Sequence, residues 1–537
     1  FDLATLAIVS ERSDLETATI LWTALQQGLV LPQSQIYKFY IGRDTPELVS
    51  ESHVLHYRFL HDRVQQAAYS LIPDDQKQIT HLKIGQLMLQ NTPEALQEEH
   101  VFEIVSQLNY GVELLTDQTE RDRLAQLNLK VGRKALASTA YEAAVGYFKV
   151  GRELLASNAW ELRYALCLAL HESAAEAAYL SGDFAAMEQL IGQVLQQSNS
   201  ILDRIKAYEI KIQAYASQTQ FIASLEVALE GLQHLNVYFP SAPTGSDIET
   251  TFANVTAQVQ TITIANLANL PPMQDAHARS SLRLLAGANA SAFQAAPNLF
   301  VLIVLKMVSL SIEYGNSAES PLGYGLYGLL ISCILGDWET GHQLGQLALN
   351  LLDNFHDKQI ECKTKFVVNA SVRFRREHLR QTIQSLQEAY QIGLENGDIE
   401  FAGYSILHHC DHCFFLGDSL FDLEQKIPVY IASLEKLKEV SSSNILRIYL
   451  QTIFHLTQGS SMPGSLIGEA YNELQDLPRL QAAQNQKGLF YLYFAKLFLH
   501  YFFQDFDQAL TTIQSLENYL EGGRGNAAFP ILSLIHI

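Results

Sequence analysis

One short pattern recurs along this chain wherever two apolar helical runs meet: Leu180-Ser181-Gly182-Asp183-Phe184, Leu335-Gly336-Asp337-Trp338, Leu416-Gly417-Asp418 and Phe503-Gln504-Asp505-Phe506. The aspartate is common to all four, the glycine to three and the following aromatic to three. Glycine ends the first helix, aspartate caps the free N–H groups of the second, and the aromatic side chain packs into the elbow. The aspartates fall near multiples of ~40 positions, the period of stacked helix pairs. Such punctuation predicts a mainly α fold, a tetratricopeptide-like α-superhelix of helix hairpins. The clearest unit is Ala140 to Gly151, where small Ala144 and Gly151 admit a neighbouring helix and Phe148 fills the gap between them. Further helices are expected at residues 204–218, 221–235, 324–334, 340–352, 379–395 and 488–503 from apolar periodicity.

Residues 1–90 have a different texture. From Ser13 the spacing of Leu15, Thr19, Trp22 and Leu25 predicts a helix ending at Gly28. Alternation over Val54 to Phe59 predicts a strand. The run from His61 to Leu71 then places Val64, Ala67, Ala68 and Leu71 on one helical face before Pro73. Helix, strand pair and helix together predict a small winged-helix-like segment. The loop-like stretches Tyr238–Ile248 and Pro271-Pro272 suggest a division of the remainder, so the expected domains are 1–90, a first repeat block at 91–240 and a second at 241–537.

A winged helix raises the question of DNA, and here charge decides. The 537 residues carry 36 Lys+Arg against 57 Asp+Glu, a net charge of -21. Residues 1–90 hold 7 basic and 10 acidic side chains, with no Lys or Arg between Ser13 and Tyr37. A helix without cations neither neutralises phosphates nor reads bases, so nucleic acid is an unsuitable partner and a protein-facing role fits better. Five cysteines without regular spacing fit a reducing compartment, and a cytoplasmic location is expected. The apolar run Leu299–Leu305 is interrupted by Lys306, short of the ~20 residues of a membrane helix, so no membrane insertion is expected. The chain starts at Phe1 and stops at an apolar Ser533–Ile537 without a helix-stop signal. An internal piece of a longer polypeptide is expected, the origin of its last few residues being open.

Motifs of catalysis are absent from the sequence: no Gly-x-x-x-x-Gly-Lys-Ser/Thr, no kinase catalytic loop, no Gly-x-Ser-x-Gly and no His-Glu-x-x-His. No catalytic residue and no bound cofactor is therefore expected. Gly522-Gly523-Arg524-Gly525 reads as a turn. The densest group of metal-ligand types is His408-His409-Cys410-Asp411-His412-Cys413, from which His408, Cys410, His412 and Cys413 are the candidate ligands. On a helix His408 and His412 share one face, His409 and Cys413 another, so four ligands do not converge without a partner from elsewhere. The competing reading makes Tyr404, Leu407, Cys410 and Phe414 core positions. Arg373, Arg375, Arg376 and Arg380 form the densest basic group, interrupted by Glu377; a solvated helix face competes there with an acidic-partner site. The aromatic run Phe490–Phe503 reads as a helix buried between neighbours.

The segments Phe1–Ala7, Thr17–Val30 and above all Tyr57–Pro73, followed by His81-Leu82-Lys83-Ile84-Gly85, resemble one family. It is the region after the ATPase core in large bacterial, notably cyanobacterial, multidomain signalling proteins. These join a Ser/Thr protein kinase, an AAA-type ATPase, a long helical repeat region, a GAF sensor and often a histidine kinase. The resemblance is specific over 1–90 and rests on helical texture and the hairpin turns thereafter. It implies that residues 1–90 end an ATPase module, with His61 either near the nucleotide domain or packing a helix start. ATP and Mg would belong only to upstream domains, and the partners would be proteins or neighbouring domains of the same polypeptide. The expected function is a non-catalytic regulatory and protein-interaction segment. A stand-alone tetratricopeptide-type adaptor is the alternative, and a metal-dependent enzyme using residues 408–413 a third reading.

Overall fold

A computed structural model describes residues 2–33, 56–459, 462 and 464–523. Contacts divide the chain into two compact units, Phe1–Ser198 and Asn199–Ile537, so the sequence breaks near residues 90 and 240 lie inside the units.

The first unit begins with α1 (Leu3–Ser10) and α2 (Asp14–Gln26). Ser13 and Glu16 cap α2 reciprocally, each side chain accepting from the other's backbone N–H. Strands β1 (Val30–Pro32) and β2 (Tyr57–Phe59) pair antiparallel with Val30 opposite Phe59. Leu3, Leu21, Val30 and Tyr57 close a small core beneath them. The expected strand thus starts at Tyr57, while Val54 and Leu55 lie outside the described residues. His61 caps α3 (Asp62–Ser70), its Nδ1 accepting from the Arg63 N–H at 3.2 Å. The predicted apolar face of this helix exists but lies uncovered: no residue of α3 is buried, and Leu71 is 82 % exposed.

Helices then follow in sequence: α4 (Asp74–Asn91), α5 (Glu94–Tyr110), α6 (Gln118–Ala137), α7 (Tyr141–Glu153), the short α8 (Ala159–Leu162), α9 (Tyr164–Ser181) and α10 (Phe184–Gln197). They pack as hairpins, α4 on α5, α6 on α7 and α9 on α10, with α7 also against α9. Phe148 on α7 is fully buried against α6, in the role its sequence context assigns it.

The second unit opens with α11 (Ile205–Ser217), α12 (Phe221–His234), α13 (Gly245–Ile262), the short α14 (Ile264–Leu267), α15 (Ala276–Ala295) and α16 (Pro297–Tyr314). Helix α16 is long and apolar enough by composition to cross a membrane, but 56 % of it is buried inside the fold, against α13, α15 and α17 (Ser320–Leu330), as in a core helix. The array continues with α18 (Trp338–Leu352), α19 (Lys358–Val367), α20 (Ile383–Asn396), α21 (Ile399–Phe415), α22 (Leu420–Lys436), α23 (Val440–Gln458), α24 (Glu473–Ala482), α25 (Gln486–Phe502) and α26 (Phe506–Leu516). Hairpin packing again dominates, α17 on α18, α20 on α21, α22 on α23 and α25 on α26. Mainly α hairpin repeats are the fold, as predicted.

The turns refine the motif that announced them. Gly182 and Gly336 take φ of 84° and 67°, and Asp183 and Asp337 accept from the N–H groups of Ala186 and Thr340. At the third copy Gly417 is left-handed, but Ser419, not Asp418, caps α22. Gly397-Asp398, outside the sequence pattern, has the same geometry before α21. Elsewhere Thr139, Thr219, Lys438, Gln484 and Gln504 occupy the left-handed position without being glycine. A β-branched residue pays steric strain there, about 1 kcal/mol or more. Thr219→Gly is therefore expected to stabilise the second unit by about 0.5–1 kcal/mol after the extra chain entropy of glycine is subtracted. Urea denaturation checks this; unchanged or lower stability would refute it.

Candidate functional site

Helix α21 holds all four residues singled out for metal binding. It starts at the Asp398 cap, whose carboxylate accepts from the Phe401 N–H, and every residue from Phe401 to Phe414 is buried. Neighbours α19, α20, α22 and α23 all pack on it, which is why a helix this rich in histidine lies inside the unit.

The structure separates the candidates instead of joining them. Cys410 lies in the apolar core with Leu407 and Phe414. Cys413 Sγ is 3.9 Å from His409 Nε2, and the two line a cavity of about 170 Å³ together with Asp418, Asp422, Lys426 and Tyr430. The group that converges is His408, Asp411 and His412, whose ligand atoms all lie within 4.8 Å of one another. The set of two histidines and two cysteines is thus corrected: residues three or four apart share a helix face, and the cysteines occupy other faces. Asp411 was not among the candidate ligands; its three-residue offset from His408, which puts it on the same helix face, was the available signal.

Hydrogen bonds orient this group. Thr382 Oγ1 donates to Leu379 O at 2.8 Å, so the lone pair it presents to His412 Nδ1, 2.7 Å away, requires that nitrogen to carry the proton. His412 Nε2 is then the bare nitrogen, buried and without a hydrogen-bond partner. Tyr449 donates its hydroxyl to Asp411 Oδ1, while Asp411 Oδ2 lies 3.4 Å from His408 Nδ1. Neither of the latter two atoms makes a hydrogen bond. Burial drives His412 down to about 3 and lowers His408 and His409, so all three are neutral near pH 7. Burial also raises Cys410 far above its ordinary value and Cys413 to about 12, leaving no thiolate for nucleophilic chemistry.

A second constellation, half-buried, joins α21 to its neighbours. Lys487 of α25 places Nζ 4.1 Å from the Tyr404 ring centroid, and Tyr404 donates to Glu400 Oε1 at 2.9 Å. Glu439 caps α23, accepting from the Ser442 N–H at 3.0 Å. Lys363 of α19 sits 3.4 Å from Asp398. Burial raises Glu400 and Glu439, and lowers Lys487 to about 8 against the opposing fields of Glu439, Glu400 and Asp411. The arrangement brings both signs of charge beside aromatic rings, with Lys363 and Tyr404 buried and Glu400, Glu439 and Lys487 half-buried.

Its cost is measurable. Because the folded state depresses Lys487, the penalty on its cation is fully present below pH about 8 and disappears above the unfolded value of 10.5. Lys487→Met is expected to stabilise the chain at pH 7 by about 1–2 kcal/mol, after allowing for the lost Tyr404 contact and residual solvation. The gain should shrink as pH rises from 8 to 10; guanidinium titrations at several pH values test this, and a gain independent of pH would refute it.

The remaining candidates resolve into structure. Arg373 donates to Glu377 and Asn369, Arg376 pairs with Glu339 at 2.6 Å, Arg380 pairs with Asp418 at 3.1 Å, and Arg375 donates to Ser371 O. Three of the four arginines are thus paired with carboxylates, two of them from outside the group. In α25, Phe490, Tyr491, Phe494 and Leu497 are buried, whereas Tyr501 and Phe502 are exposed. Gly522 and Gly523 end a 3-10 helix (Glu517–Gly523) packed on α25, not a turn; Arg524 and Gly525 lie outside the described residues.

No protein-family model matches the chain. Among solved structures it is similar to the signal transduction ATPase with numerous domains (STAND) protein with a tetratricopeptide repeat sensor from Pyrococcus horikoshii, at a TM-score of 0.38 and 11 % identity, covering 90 % of this chain and 62 % of that one. Among curated proteins it is similar to hybrid signal transduction histidine kinase G of Dictyostelium discoideum, 22 % identical over 436 residues, or 71 % of this chain. The chain spans 12 % of that relative's length.

Proposed function

We propose that this chain is a regulatory, protein-interacting repeat region of a larger signalling protein, itself non-catalytic. The observation that carries the reading is the 436-residue similarity to a hybrid histidine kinase, far longer than one hairpin and confined to a small share of that protein. A hairpin repeat array suits the role because it offers a long surface without covalent chemistry. On this reading residues 1–90 are a protein-facing winged helix ending an ATPase module, ATP and Mg bind elsewhere in the polypeptide, and the whole acts in the cytoplasm. The half-buried mixed-charge group of Glu400, Glu439 and Lys487 is where a neighbouring domain or partner would engage.

The test uses the full parent polypeptide. Its upstream sequence should hold a Gly-x-x-x-x-Gly-Lys-Ser/Thr loop, and the double reversal Glu439→Lys with Lys487→Glu should change its ATP turnover or autophosphorylation severalfold while leaving the fold intact by circular dichroism. Absence of the loop would replace the reading by a stand-alone adaptor. Unchanged turnover would remove the regulatory role from this face.

A further inference from the structure

We propose that His408, Asp411 and His412 form a binding site for a divalent transition ion of the zinc class. The group lies wholly inside the second unit: His408 is 1 % exposed, and Asp411 and His412 are fully buried. A buried polar atom without a partner forfeits its hydration, and here His408 Nδ1, Asp411 Oδ2 and His412 Nε2 are three such atoms, in a group whose ligand atoms lie within 4.8 Å of one another. Their coincidence is the core of the argument, because isolated orphans scatter, whereas these belong to one turn of one helix.

The chemistry of the donors agrees. Two imidazoles and one carboxylate are a ligand set suited to zinc and its neighbours in the first transition row. Histidines at positions i and i+4 of a helix reach a common ion, and the aspartate at i+3 joins them from the same face. His412 already has the state a ligand needs, with Nδ1–H held by Thr382 and Nε2 bare. Tyr449 in the same way holds the non-ligating oxygen of Asp411. These are the outer hydrogen bonds that normally fix metal ligands. His408 needs only the tautomer with a bare Nδ1.

Electrostatics points the same way. Asp411 takes a hydrogen bond from Tyr449, and its one ion-pair contact among the described residues is His408. A carboxylate at 0 % exposure without an ion pair to a fixed cation is poorly compensated, and a bound dication would compensate it. The protein supplies three ligands, leaving the remaining position to water. With no cysteine in the set and no open path for a substrate, the ion would tie α21 through Thr382 to the turn before α20 and through Tyr449 to α23. It would act as a clip, not a catalyst.

The experiment uses the full chain, unfolded in the presence of a chelator and refolded with or without zinc chloride, so that slow entry into a folded core cannot mask binding. Elemental analysis after gel filtration should find one zinc per chain, and the unfolding midpoint should rise with zinc concentration. Asp411→Asn and His412→Gln should each lower zinc content at least tenfold, and Cys410→Ser with Cys413→Ser should retain it. Cobalt(II) substitution should give a visible d–d spectrum without a sulfur-to-cobalt charge-transfer band. Wild-type chain refolded with zinc yet containing no stoichiometric metal would overturn the proposal irrespective of how the variants fold. Loss of zinc in the cysteine variant, or a thiolate band with cobalt, would also overturn it.

Discussion

Gly315→Ala is expected to destabilise the second unit by about 3–5 kcal/mol, as large an effect as a single added methyl can produce. Gly315 follows α16 with φ 97° and ψ 176°, a region open in practice to glycine alone. A Cβ there would stand 2.1 Å from the carbonyl oxygen of Pro271. That carbonyl is not free to retreat. It accepts the Asn316 N–H at 2.9 Å, while Met273 N–H donates to Asn316 O at 2.8 Å. The Asn316 side chain in turn donates to Leu267 O and accepts from Tyr324, so four hydrogen bonds meet at one buried asparagine. The Pro271-Pro272 break, which in the sequence looks like a separator, is thereby stitched to the α16–α17 turn. The measurement is amide exchange at Met273 and Asn316 alongside the unfolding midpoint. Protection retained at both amides, with stability within 1 kcal/mol of wild type, would refute the account.

Phe148→Ala carries a comparable loss, about 3–5 kcal/mol, in the first unit. The ring is fully buried, and α6 approaches so closely that a Cβ on Gly132 would lie 2.4 Å from it. Removing the ring leaves a cavity that two apposed helices cannot close without sliding. Gly132→Ala alone should cost about 1–3 kcal/mol by overpacking the same contact. Made together, the two changes should cost less than their sum, because the new methyl projects into the space the ring vacates. Urea unfolding followed through Trp160, which stacks near His171 in the same unit, reads all three variants. Strict additivity would show that the ring and the glycine are not packed on each other.

Much of the fold was legible because its signals are local. Capping residues, left-handed turns and the 3.6-residue period act over a few positions, and α7, α11, α12, α18 and α25 lie within a residue or two of where the pattern placed them. What escaped did so for stated reasons. Non-glycine residues in the left-handed position carry no sequence signature, so the turns at Thr139, Thr219 and Lys438 were silent. Ser419 competed with Asp418 for the cap of α22, and one residue of register decided between them. In α3 the apolar stripe was read correctly, yet nothing among the described residues covers it.

The site was harder to read because it depends on partners far along the chain. The sequence by itself determined that, on a helix, His408 and His412 share one face, and that helix hairpins repeat along the chain. Only the tertiary structure decided that α21 is enclosed by neighbours on its several faces. That enclosure strips water from the two histidines and Asp411, brings Thr382 and Tyr449 to orient them, and sends Cys410 into apolar packing. The tertiary structure likewise pairs Arg376 with Glu339 and Arg380 with Asp418, two cations whose partners the sequence did not indicate. The reason is physical: periodicity fixes which residues share a face, whereas desolvation and pairing depend on what that face meets in space.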